Sequence, residues 1–134
     1  MLFRSITVVD NSDIPPGVLI TGGIDWAPAQ AAIFSADLWN PATQTSTAVQ
    51  QMNYARVYHT ATPIANDRVL VTGGLNDSLN LIGSTEIYNE ATESFSVGPN
   101  MQTPRYMHTA TLLNDGTVLL TGGGDDNKIG RAHV

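Results

Sequence analysis

One dipeptide in this 134-residue chain combines two groups suited to metal chemistry. Tyr58 and His59 place a phenol beside an imidazole, and both groups can bind a transition metal. A second histidine, His108, follows 49 residues later, but Met107 precedes it where the first has a tyrosine. The histidine therefore recurs without its phenol. This recurrence favours a role in a repeated structure over a role in a single metal site.

The other chemistry-bearing residues match no known site pattern. Oxygen-rich loops can hold Ca²⁺, but the spacing of the loop aspartates fits no calcium motif, and we interpret them as solvated acids. The chain contains no phosphate-binding loop, no nucleophile elbow and no metalloprotease histidine pair. The aspartates concerned are Asp25, Asp77, Asp125 and Asp126.

The spacing of 49 residues is the period of an internal repeat. Aligning residues 35–74 with residues 84–123 gives 15 identities in 40 positions, whereas ordinary composition would give roughly 2 or 3. An arginine recurs within the repeat, as Arg56 and Arg105. An earlier copy of its glycine-ended segment, GVLITGG, lies at residues 17–23. The chain is therefore built from repeated units.

Each period carries strand and turn signals, with no helical pattern longer than a turn. Apolar runs ended by glycines predict buried strands, and alternating segments that end in an aromatic predict further strands. Asparagine and proline between them predict turns. The sequence thus predicts an all-β chain with four short antiparallel strands per period. The segments are ITVV, VLVTGG, VLLTGG, SADLWN, STEIYN and SFSV, with turns at NPAT and NEAT.

In combination, these features resemble the kelch-repeat β-propeller family, over residues 6 to about 127. Kelch repeats run to about 50 residues and form one four-stranded blade each. A second family aromatic is expected seven residues after the first; Phe95 supplies it in the second repeat, whereas Ser46 does not in the first. The residues that carry the resemblance and mark the structural repeat are Gly22, Gly23, Gly73, Gly74, Gly122, Gly123, Trp39, Tyr88, His59 and His108.

The resemblance implies a kelch-type propeller segment of about two and a half four-stranded blades. The first blade spans 6–53, the second 54–100 and the first half of a third 101–127. Propellers close with four to eight blades, so we expect an unclosed ring that belongs to a longer protein, whose remaining blades are its partners. The end sequences MLFRS and IGRAHV resemble translated sequencing adapters. We therefore expect residues 1–5 and 128–134 not to be native.

The resemblance leaves two functions open. Kelch repeats commonly form non-catalytic binding or scaffolding modules for protein or carbohydrate, which need no cofactor. Arg56 and Arg105 are the candidate ligand-binding residues, with bonding to carbonyls or to an acid of the neighbouring blade as the structural alternative. The second function is the propeller of a galactose-oxidase-like copper-radical oxidase acting on sugars or small alcohols. In those enzymes a Tyr-His pair like Tyr58-His59 binds copper, but a required Cys and a further His cannot be assigned here.

Composition excludes several other classes. The net charge is −6 and Lys128 is the only lysine, so the chain lacks the clustered cations that nucleic-acid binding needs. No apolar run approaches the roughly 20 residues of a membrane span. An acidic, lysine-poor chain rich in Thr and Asn favours an extracellular location.

Two structural expectations follow from the repeat alignment. The glycine-ended strands are expected to be more buried than the strands around Glu86 and Phe95, which would lie toward the outer edge of a blade. His59 and His108 are expected to occupy equivalent positions in neighbouring sheets.

Overall fold

The computed structural model describes residues 2–9, 17–25 and 31–125. These residues form an all-β structure of eleven strands and one 3₁₀ turn, with no α-helix among them. The expectations for residues 128–134 and for Asp126 lie outside the described residues. The predicted all-β class is confirmed.

The strands form three antiparallel sheets, none of which closes on itself. In the first sheet the order is β1-β2-β4-β5, with β3 pairing to the end of β2; in the second it is β6-β7-β8-β9; the third is the hairpin β10-β11. The strand bounds are β1 Leu2–Val9, β2 Gly17–Asp25, β3 Ala31–Ala32, β4 Ala36–Asn40, β5 Thr45–Ala48, β6 Thr60–Ile64, β7 Arg68–Thr72, β8 Thr85–Asn89, β9 Ser94–Val97, β10 Thr109–Leu112 and β11 Val118–Thr121.

The sheets follow the sequence repeat. Strands β4 and β5 lie 49 residues before β8 and β9, and β6 lies 49 residues before β10. The predicted ITVV strand begins earlier than expected, because β1 starts at Leu2.

The turns between β4 and β5 and between β8 and β9 are capped as the sequence predicts. The Asn40 side chain accepts a hydrogen bond from Ala42 N at 2.8 Å, and Asn89 accepts one from Ala91 N at 2.9 Å. A short polar side chain that bonds to the backbone two residues ahead stabilises such a turn. The same residue type therefore forms the same turn in both repeats.

The main hydrophobic core lies between the first two sheets. Leu19 and Ala36 of the first sheet pack against Val69, Val71 and a ring pair of the second. The rings belong to Tyr88 and Phe95, which are directly opposite across β8 and β9 and have centroids 5.0 Å apart. Large buried rings contribute most to such a face-to-face contact.

The burial expectation is confirmed for one outer strand and wrong for the other. Val69 and Val71 are fully buried, whereas Ser96 in β9 is exposed. In β8, however, Glu86 and Tyr88 are as inaccessible as the glycine-ended strand. The reason is that Tyr88 packs on the first sheet and Glu86 forms a buried ion pair.

Trp39, the counterpart of Tyr88, is only half-buried. It is opposite Val18 in the β2–β4 register, while Leu19 is opposite Leu38. Because side chains alternate between the two faces of a strand, Trp39 lies on the face of the first sheet away from the second. Its cross-strand partner in β5 is Ser46, not an aromatic.

We expect Phe95→Ala to lower the free energy of unfolding by about 3–5 kcal/mol, because it empties a core position beside Tyr88. Val97→Ala on the same strand is the matched control. Val97 is 66 % exposed, so this change is expected to alter stability by no more than about 0.5 kcal/mol. Urea unfolding followed by tryptophan fluorescence measures both; equal losses for the two variants would contradict the core described above.

Candidate functional site

The repeated glycine pairs lie where one sheet contacts the next. We call this contact region the joint; it consists of a glycine pair together with the arginine and the histidine of the following repeat. Gly23 N donates to the carbonyl oxygen of Arg56 at 2.9 Å, and Gly74 N donates to that of Arg105 at 2.8 Å. The end of each glycine strand is thus bonded to the arginine that introduces the next sheet. Gly22 and Gly73 both have positive φ, at 49° and 66°, a conformation that favours glycine.

The Arg56 side chain continues the link into the second sheet. Its NH1 donates to Gly73 O at 2.8 Å and to Ser84 O at 3.1 Å. Its NH2 donates to Glu86 Oε1 at 3.0 Å. The residue is fully buried. Arg56 therefore bonds one sheet through its carbonyl and the next through its guanidinium.

The Glu86 carboxylate is well supplied with donors. It accepts hydrogen bonds from Asn53 N at 2.6 Å and from Tyr54 N at 3.2 Å. Burial lowers the pKa of Arg56, and the attraction of Glu86 opposes this shift. A buried pair of this kind is tolerated only when additional hydrogen bonds support it. Here they support the Glu86 carboxylate and both terminal nitrogens of Arg56, whereas Arg56 Nε has no partner among the described residues.

Arg105 repeats part of this arrangement. It is 2 % exposed, and its NH1 donates to Gly122 O at 2.7 Å, as Arg56 does to Gly73. Both arginines thus make the carbonyl bonds of the structural alternative. A ligand-binding role for either stays a prediction.

His59 and His108 occupy equivalent positions, as expected. His59 Nε2 is 2.9 Å from Thr21 Oγ1, and His108 Nε2 is 2.8 Å from Thr72 Oγ1. Both threonines precede a glycine pair in the preceding sheet. Both imidazoles are buried, with no hydrogen-bond partner at Nδ1 among the described residues.

Burial holds both histidines neutral. It lowers the pKa of His59 to about 3; the Arg56 charge adds to the shift and the Arg56 carbonyl opposes it. Burial also lowers the pKa of His108 to about 4, with Arg105 adding to the shift. Neutral imidazoles are therefore part of the joint between the sheets.

Because both histidines of the joint are held neutral, we expect the chain to lose stability in acid. In the unfolded chain each histidine has its ordinary pKa of 6.5. Below that pH the unfolded chain therefore binds protons that the folded chain excludes, and the free energy of unfolding falls as the pH drops from about 6.5 toward 4. Each histidine contributes a slope of up to about 1.4 kcal/mol per pH unit. Urea titrations at pH 7, 6, 5 and 4 measure the slope. In the double variant His59→Gln/His108→Gln we expect the free energy of unfolding to depend less steeply on pH over this range. An unchanged slope in that variant would contradict the assignment of the acid sensitivity to these two histidines.

The glycine joint can be tested with two equivalent positions. A Cβ at Gly22 would lie 2.7 Å from Arg56 O and 2.7 Å from His59 Cε1, whereas a Cβ at Gly122 meets nothing within 4 Å. Both residues have positive φ. We expect Gly122→Ala to cost about 1–2 kcal/mol from backbone strain, and Gly22→Ala about 1–3 kcal/mol more from overpacking. Thermal and urea unfolding compare them; equal costs would contradict the close contact.

A second repeated feature lies at the surface beside this joint. Tyr58 and Met107 are equivalent residues, both with positive φ, at 59° and 53°, and they are 40 % and 59 % exposed. Met107 N donates to Tyr58 O at 2.9 Å. The ring of Tyr106 lies 6.5 Å from that of Tyr58. We call Tyr58, Tyr106 and Met107 the Tyr58 surface.

The two members of the predicted copper pair lie in different environments. Tyr58 is exposed, while His59 is buried with its Nε2 bonded to Thr21. The described part of the chain contains no group of three His, Cys, Asp or Glu side chains arranged to hold a metal ion. Copper binding stays a prediction.

The sequence signals for this region were incomplete. The sequence offered an acid of the neighbouring blade as an alternative partner of Arg56, whereas the acid that pairs with it, Glu86, lies within the same predicted blade, 54–100. The threonine before each glycine pair recurs, and that recurrence could have identified the histidine partners. The sequence indicates only that Met107 stands where the preceding repeat has a tyrosine. It does not indicate that Met107 is exposed, because that depends on how the backbone turns in the folded chain.

Comparison with known proteins adds no identification: neither the family models nor the curated proteins that were searched match this chain. Across the residues that the structure describes, no helix has the length and apolar character needed to cross a bilayer.

Proposed function

We propose that the three sheets are successive blades of a kelch-type β-propeller, and that the chain is a non-catalytic binding module whose Tyr58 surface contacts a protein or carbohydrate ligand. The repeated joint supports the propeller: the same arginine, histidine and glycine contacts connect the first sheet to the second and the second to the third. Strand β6 also lies beside both β1 and β10. Neighbouring first strands are the arrangement that blades around a common axis require.

The exposed, strained pair Tyr58 and Met107 is the observation that carries the binding function. A non-glycine residue with positive φ costs about 1–3 kcal/mol and persists only when its surroundings enforce it. Here the strain occurs at the same position in two repeats, and in each it turns a large apolar side chain toward solvent. Such strain is concentrated at ligand-binding sites.

The backbone that carries the Tyr58 surface is held in place by β-bridges and by packing. Val57 bridges to Leu75 and Tyr106 bridges to Gly124, which connects both first strands to the loops that follow the glycine pairs. Tyr106 packs against a small core that includes Val57 and Leu75. A surface whose backbone is held in this way loses little conformational entropy when a ligand binds.

The side chains indicate the class of ligand. Tyrosine is enriched at the centres of protein interfaces because its ring combines apolar area with a polar tip. The same ring can stack on the apolar C–H face of a sugar. Methionine adapts its shape to irregular partners. Copper chemistry receives less support, because Tyr58 and His59 do not face a common space.

Binding can be tested with two defined probes, a glycan array and a phage-displayed random peptide library. The chain has no cysteine, so Val97→Cys provides a single exposed labelling site. The best binder from either screen is titrated against variants by fluorescence anisotropy. We expect Tyr58→Ala to weaken binding at least tenfold and Tyr58→Phe to weaken it less than threefold, because stacking needs the ring and not the hydroxyl.

Leu79→Ser is the matched control, because Leu79 is 71 % exposed and also has positive φ; it is expected to leave affinity unchanged. Absence of any binder, or a binder insensitive to Tyr58→Ala, contradicts the proposal. Electron paramagnetic resonance of added Cu²⁺ tests the oxidase. A copper signal that Tyr58→Phe and His59→Gln each abolish would favour it.

A further inference from the structure

Three acidic residues lie together at the end of the second sheet that is opposite the joint. Asp67 directly precedes β7, whereas Glu90 and Glu93 lie in the turn between β8 and β9. The backbone connects these two places, because Glu90 N donates to Asp67 O at 3.1 Å. Within the turn, Glu93 N donates to Glu90 O at 3.2 Å. We call Asp67, Glu90 and Glu93 the acidic notch.

The acidic notch borders buried oxygen atoms that lack a hydrogen-bond partner. Glu90 is 8 % exposed, and its Oε2 atom is buried with no partner among the described residues. The hydroxyl of Tyr88, whose side chain is fully buried, has none there either. Burial raises the pKa of Tyr88 to about 12, and the charges of Glu93 and Glu90 add to the shift. Buried polar atoms are normally bonded, so this end of the sheet is electrostatically incomplete in the chain alone.

The negative charge of the acidic notch is not offset by a neighbouring cation. Burial raises the pKa of Glu90, and repulsion by Asp67 and Glu93 raises it further. No lysine or arginine in the described part of the chain pairs with any of the three carboxylates. Arg68 follows Asp67 in sequence, but its Nε donates to Ala65 O at 3.1 Å. Like charges held close together without a counter-charge destabilise the folded chain.

The first repeat forms the same turn without these acids. Pro41 and Gln44 stand at the positions of Glu90 and Glu93. An asparagine caps both turns, and Gln44 and Glu93 both have positive φ, at 57° and 49°. The turn therefore does not need its two acids. Residues that oppose stability and that the fold does not need are expected at functional sites.

The arrangement of the carboxylates selects the kind of cation that fits. Across the residues that the structure describes, no three acidic or histidine side chains converge in the way that a metal ion requires. A metal ion needs its oxygen ligands within about 2.6 Å of one point. A guanidinium instead spreads five N–H donors over a plane and can bond carboxylates that lie farther apart. The net charge of −6 attracts basic partners to the chain.

We propose that the acidic notch binds an arginine side chain of a basic partner protein. The guanidinium bonds the exposed carboxylate of Glu93 and the half-buried carboxylate of Asp67, and its charge offsets that of the buried Glu90. Hydrogen bonds between a guanidinium and carboxylates are among the strongest that side chains make. The chain thus accepts a local cost in the free state that the bound arginine removes.

The test uses three short peptides, acetylated and amidated, with the sequences GGRGG, GGKGG and GG-citrulline-GG. Each is titrated into the full ¹⁵N-labelled chain at low salt, and the amide signals of residues 90–94 are followed by NMR. We expect saturable shifts with the arginine peptide, affinity at least tenfold weaker for the neutral citrulline peptide, and affinity at least threefold weaker for the lysine peptide. Absence of saturable shifts at these signals, or equal affinity for arginine and citrulline, overturns the proposal.

Protein variants locate the contact. We expect Glu93→Gln and Asp67→Asn each to weaken binding of the arginine peptide at least fivefold. Asp115→Asn is the matched control, because Asp115 is an exposed acid in the equivalent hairpin of the third sheet, where its side chain accepts a hydrogen bond from Thr117 N at 2.9 Å. This change is expected to weaken binding less than twofold. Equal losses for the three variants would show that the peptide responds only to net charge, and would overturn the proposal.

Stability distinguishes a binding role from a structural one. We expect Glu90→Gln to raise the melting temperature of the free chain by about 2–4 °C, because it removes the repulsion within the acidic notch. A lower melting temperature would show that Glu90 supports the fold, and would count against the proposal. If 1 mM CaCl₂ shifts the same amide signals and displaces the arginine peptide, a metal ion occupies the notch and the proposal is wrong. None of these variants alters Tyr58, so the outcome is independent of the proposed ligand surface.

Discussion

The bonds that a buried arginine makes at the joint between two sheets are the interaction on which the rest of the structure depends. Arg56 accepts a hydrogen bond from Gly23 through its carbonyl and donates through its guanidinium to Gly73 and Glu86. Burying a guanidinium is costly unless its charge is paired and hydrogen-bonded, as the two terminal nitrogens of Arg56 are here. The joint therefore allows little variation in how one sheet meets the next, and this explains why an arginine and a glycine pair recur with the same backbone bond and the same side-chain bond to a glycine carbonyl.

The joint also determines which groups are buried around it. The histidine of each repeat lies against a glycine that has no Cβ, and its imidazole stays neutral because water is excluded. The two faces of the second sheet also differ. One face carries Tyr88 and Phe95 into the core with the first sheet, and the other, with Leu70 and Ile87, borders a cleft of about 420 Å³ beside the β10-β11 hairpin.

The exposed strained residues and the buried framework are separate in this molecule. The arginine, histidine and glycine side of each repeat is buried and bonded, whereas the strained residues that follow the arginine, Tyr58 and Met107, are exposed. A repeated framework can support many functions, since function is located in the residues displayed on it. The Tyr58 surface is one such display.

The sequence by itself determined the all-β class, the short antiparallel strands of each repeat, the capped turns at Asn40 and Asn89 and the equivalence of His59 and His108. These features depend on local patterns and on spacing, which a single chain displays directly. Only the tertiary structure decided that β8 is buried, that Glu86 pairs with Arg56, that Trp39 lies away from the second sheet and that Tyr58 and His59 face different surroundings. Each of these depends on which face of a strand meets another sheet. That choice arises from contacts between residues far apart in sequence, so no local pattern contains it.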